Sequence, residues 1–199
     1  MSKIEKFVPT EEQLRHGAEH ILYEYKMLQY SYEELKKALP KGKDSPVAVD
    51  TASTSHIVNW STNLDTESPE KQNDLYKKAM LECFLLHVRN LRDFFWEQRS
   101  SYHDKLRDIH KENDGILVTD YLPEWNTDKN KYPKYPENLQ KTKARLNKRL
   151  FHLTYFRGQY SKQDDEGWQY KEMFNWLKNA WVGFQSNLPN DKKSWFQSS

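Results

Sequence analysis

A chain of 199 residues is long enough for one domain with a substantial core. Its mean hydropathy of -1.05 is low, but 7 Trp, 12 Tyr and 9 Phe supply apolar area to bury, and only 6 Gly argue against a turn-rich all-β protein. The formal charge is +2, no apolar run approaches the ~18 residues a membrane span needs, and the single cysteine, Cys83, excludes an internal disulfide and a cysteine-based zinc site.

The opening M-S-K-I-E-K-F carries no hydrophobic signal region, so a cytoplasmic location with no membrane contact is expected. The first helix is expected over about 10–39. Leu14, Ala18, Ile21, Tyr25, Leu28, Tyr32, Leu35 and Leu39 recur at steps of four and three, one continuous apolar seam. Thr10 with Glu11, Glu12 and Gln13 provides an N-cap and an acidic first turn, and Pro40 ends the element. Residues 41–68 show no period and are rich in Ser, Thr and Asp, which predicts a long loop.

A second helix is expected over 69–99. Tyr76, Met80, Cys83, Phe84, His87, Leu91, Phe94 and Phe95 share a face on the wheel, which places Arg89 and Arg92 on the far side with Leu85 and Trp96. Residues 101–136 read as an irregular connection or cap containing a short polar helix. A third long helix follows over 137–159, with Leu139, Leu146, Leu150 and Leu153 inward. The last is expected over 164–188 with Tyr170, Met173, Phe174, Leu177, Ala180, Trp181, Phe184 and Leu188 as its apolar face. Trp168 and Trp176 fall away from that face and predict a contact surface or packing on the long loop. The expected architecture is therefore all-α: an up-and-down bundle of four long helices, with short helices in the connections, in a single domain over 1–199.

Charge is unevenly spread. Residues 129–162 hold ten Lys/Arg against one acid, Glu137, while the rest of the chain holds 21 basic and 28 acidic residues. Such asymmetry makes a one-sided field able to attract a polyanion, or simply a solvated basic helix face. Within this segment lies A-R-L-N-K-R-L-F-H-L-T-Y-F-R, residues 144–157. With Leu146 facing the core, Arg145, Arg149, His152 and Phe156 line one flank of the helix. Guanidinium groups can clamp the non-bridging oxygens of a phosphodiester, and an imidazole can exchange a proton with a ribose hydroxyl, with no metal needed. The structural alternative is that the arginines pair with acids on a neighbouring helix and His152 makes one hydrogen bond.

The stretch from Arg145 to His152, with six residues between them, resembles the Arg-x(4–6)-His signature of the HEPN superfamily. Those are four- or five-helix domains, many of them metal-independent RNases of toxin–antitoxin, CRISPR and anti-phage systems. Their motif usually works across a homodimer. The resemblance implies RNA as partner, a homodimer, Arg145 and His152 as catalytic residues, and Arg149 and Asn147 as substrate-positioning residues. Lys148 and Lys141 of the same basic segment join the expected substrate-binding set. Leu146 follows the arginine where the family often has a polar residue. The stretches L-L-H-V-R-N-L-R-D-F-F (85–95) and N-K-R-L-F-H-L-T-Y-F-R (147–157) also resemble a set of uncharacterised bacterial helical proteins, which implies no function.

His87, at the centre of its apolar face with Asn90 one turn on, reads first as a hydrogen-bonded core histidine. The functional alternative is a second polar site made by His87 and Asn90. No histidine has a glutamate three residues before it, so the bundle di-iron pattern is absent. His16 and His20 are one turn apart, yet on the solvent side of the first seam. No cofactor and no metal site is expected. The rival to an RNase or RNA-binding protein is a non-catalytic helical module that contacts an acidic partner or another copy of itself.

Overall fold

The computed structural model describes residues 8–38, 69–96, 115–125 and 168–197. Helix accounts for 85% of these positions and no strand occurs among them, so the described chain is all-α. Three helices are long: α1 (Glu11–Ala38), α2 (Pro69–Trp96) and α4 (Tyr170–Asn187). Three elements are short: α3 (Val118–Tyr121), α5 (Asn190–Lys193) and a 3-10 turn (Ser194–Phe196). The helix expected over 137–159, the loop over 41–68 and most of 101–136 lie outside the described residues.

By their contacts, the residues group into two compact units. The first comprises Met1–Tyr25, Asn90–Tyr135 and Leu177–Ser199; the second comprises Lys26–Arg89 and Pro136–Trp176. In the first unit, α1 starts on the cap its sequence provides. The Gln13 amide donates to Thr10 Oγ1 at 3.2 Å, and the Thr10 amide donates to Gln13 Oε1 at 2.8 Å. This reciprocal pair satisfies two amides that the first turn leaves without helical partners. Ala18, Ile21 and Tyr25 are buried from the same helix.

The core of this unit is aromatic. Phe184 of α4 lies at its middle, edge-on to Phe196 at 4.9 Å and to Phe94 at 5.4 Å between ring centres. Tyr121 stands edge-on to Phe184 at 6.1 Å, and Trp125 does so at 6.3 Å. Edge-to-face pairs at these separations let the positive ring edge meet the negative face. Tyr25 and Trp181 instead stack, 4.1 Å apart and only 7° from parallel.

Residues 115–125 therefore belong to this core. Leu117, Val118, Tyr121, Leu122 and Trp125 are all buried, which corrects the expectation that the stretch caps the core rather than building it. An element as short as α3 has too few turns to show a period, and its apolar run is read more easily as a connection. Tyr121 also reaches α1: its hydroxyl donates to the Leu14 carbonyl at 2.7 Å. That contact needs Gly17, because a Cβ there would lie 2.7 Å from the Tyr121 hydroxyl and 3.3 Å from Ile116 Cδ1.

In the second unit, Leu28, Tyr32 and Leu35 continue the seam of α1, and Leu81, Phe84, Leu85 and Val88 come from α2. Tyr32 stacks on Phe174 at 3.9 Å and lies 6.2 Å from Phe84. Ser31 is fully buried, and its hydroxyl donates back to the Met27 carbonyl at 2.7 Å, so no polar group is stranded there.

The structure differs from the helical wheel in two places. The last helix begins at Tyr170, after Trp168 and Gln169, with the Met173 amide donating to the Gln169 carbonyl at 3.0 Å. Trp168 thus precedes the helix, wheel phase does not apply to it, and at 1% exposed it is no contact surface; the long loop named as its other packing partner lies outside the described residues. On α2 the buried face is rotated by roughly 60° from the expected one, at about 100° per residue. Leu81, Leu85, Val88 and Arg92 are buried beside Phe84, His87, Leu91, Phe94 and Phe95, whereas Tyr76 is exposed.

Candidate functional site

The six residues on which the phosphodiester reading rests, Lys141, Arg145, Asn147, Lys148, Arg149 and His152, lie outside the described residues. The second polar pair is described. His87 is on α2 in the second unit and 5% exposed; Asn90, one turn on, is half-buried. His87 makes polar or ring contacts within the structure, so its burial is accompanied by partners. A side chain this enclosed meets no solvent-borne substrate without movement of its neighbours.

His16 and His20 project from the exposed side of α1, with His16 Nδ1 at 3.8 Å from the Glu19 carboxylate. Among the described residues, no group of three His, Cys, Asp or Glu side chains converges as metal ligands. Cys83 is half-buried and reduced.

Two polar features were missed in the sequence. The first is Arg92, expected on the far side of the wheel with Leu85 and Trp96 and found 4% exposed in the first unit. Its Nε donates to Asp93 Oδ1 at 2.9 Å, and Nη2 donates to the same oxygen. Nη1 has no hydrogen-bond partner among the described residues. Burial is tolerated because the aliphatic stem packs as an apolar group while the adjacent carboxylate offsets the charge. The adjacent Arg-Asp pair was the signal available in the sequence.

The second is a surface cluster in the second unit. The Tyr76 hydroxyl donates to Glu34 Oε2 at 2.6 Å, and Lys37 Nζ donates to Glu34 Oε1 at 2.6 Å. Together these bonds from Lys37 and Tyr76 hold the Glu34 carboxyl below the usual carboxylate range. In turn, the hydrogen bond to Glu34 pushes the Tyr76 phenol up to about 12. The cluster ties α1 to α2 across a gap of 42 residues in sequence. In the first unit, burial pushes the Tyr121 phenol up, and the Asp120 carboxylate adds to the effect. Tyr121 is thus a neutral donor, suited to the Leu14 carbonyl it serves.

No helix among the described residues is long and apolar enough to cross a membrane. No family model matches this chain, and no curated protein or solved structure matches it.

Proposed function

We propose that this all-α chain is a HEPN-like RNA-binding protein that cleaves RNA without metal, acting as a cytoplasmic homodimer of toxin or defence type. The observation that carries the reading is the row Arg145, Arg149 and His152, set within a segment of ten Lys/Arg and one acid. The segment's field draws a polyanion. Arg145 stabilises charge on the phosphorane, while Arg149, Asn147, Lys148 and Lys141 position the strand. The ribose 2′-oxygen attacks phosphorus, the 5′-oxygen leaves, and a 2′,3′-cyclic phosphate remains. One proton is taken from the 2′-hydroxyl and one is delivered to the leaving oxygen. His152 serves one of these transfers, and the other copy's histidine serves the second.

The test is incubation of a mixed RNA pool in EDTA with wild type and with His152→Ala at equal concentration. Cleavage by wild type alone, with cyclic phosphate ends, is the expected result. Equal cleavage by both would mark a contaminating nuclease and remove support for the site. A second reading, a helical interaction module, is favoured by the exposed side chains of Tyr30, Leu75 and Tyr76. It expects no cleavage by either protein, and loss of assembly when the basic segment is neutralised.

A further inference from the structure

We draw no further inference here: the strongest candidate, the exposed patch of Tyr30, Leu75 and Tyr76 on the second unit, has its neighbouring Lys36 and Lys37 already paired with Glu33 and Glu34, and nothing in the structure shows what covers it.

Discussion

Gly17 and Tyr121 meet at a separation that leaves no space for a methyl group. Gly17→Ala would improve helix propensity in isolation, but the new Cβ would sit 2.7 Å from the Tyr121 hydroxyl. Overpacking of this kind costs about 1–3 kcal/mol, so chemical denaturation should show a net loss of stability. In a Tyr121→Phe background the same substitution should cost less, because the clashing oxygen is gone. An equal cost in both backgrounds would place the strain at Ile116 instead. Arg92 poses the complementary case, a side chain whose charge matters less than its volume. Arg92→Ala should destabilise by about 2 kcal/mol through lost packing and loss of the ion pair with Asp93. Arg92→Met, which keeps the stem and removes the N–H that has no acceptor, should be close to wild type in urea midpoint. A Met variant as unstable as the Ala variant would show that the guanidinium itself is what the fold requires.

At the scale of single elements, α1 and α4 were the most legible. Ala18, Ile21, Tyr25, Leu28, Tyr32 and Leu35 are buried as their spacing requires, and so are Met173, Leu177, Trp181 and Phe184. Both helices pack one apolar stripe, so a wheel drawn on that stripe finds the inner face. On α2, aromatic and sulfur side chains at Tyr76, Met80 and Cys83 pulled the expected face away from Leu81, Leu85 and Val88. The same rotation placed Arg92 on the far side of the wheel with Leu85, where both are in fact buried. The polar tie between α1 and α2 could not be read at all, since nothing in either helix's period specifies which glutamate meets which tyrosine. Its consequence is measurable. The raised Tyr76 phenol contributes stability that is fully present below an ordinary tyrosine pKa and is lost as pH rises through about 12. The lowered Glu34 carboxyl contributes in the opposite sense, present above the ordinary carboxylate range and lost as pH falls through its depressed value. Difference titration of phenolate absorbance between wild type and Tyr76→Phe should show one tyrosine ionising near 12, and Glu34→Gln should bring it down. An ordinary midpoint in wild type would mean that the tie does not persist in solution.

Across the whole molecule, the all-α class was readable because few glycines, many helix-forming residues and two clear seams agree with one another. The partition of the core was not. Phe196, buried beside Trp181 and Phe184, follows Pro189 and lies in a 3-10 turn where no period operates. Trp168 and the 117–125 residues are likewise core components contributed by chain outside the long helices. The candidate catalytic row was legible only as spacing and charge, which specify residue types on one helical flank. They do not specify what stands opposite them. Function here therefore turns on an assay of wild type against His152→Ala, whereas the fold turns on packing visible within each unit.

The parallel rings of Tyr25 and Trp181 have an optical consequence. Two aromatic chromophores held 4.1 Å apart at 7° in a chiral setting couple their electronic transitions. The folded protein should accordingly show a near-ultraviolet circular dichroism band that Trp181→Phe abolishes out of proportion to the loss of one indole. Both rings belong to the first unit, so loss of that band on heating would report the loss of this stack.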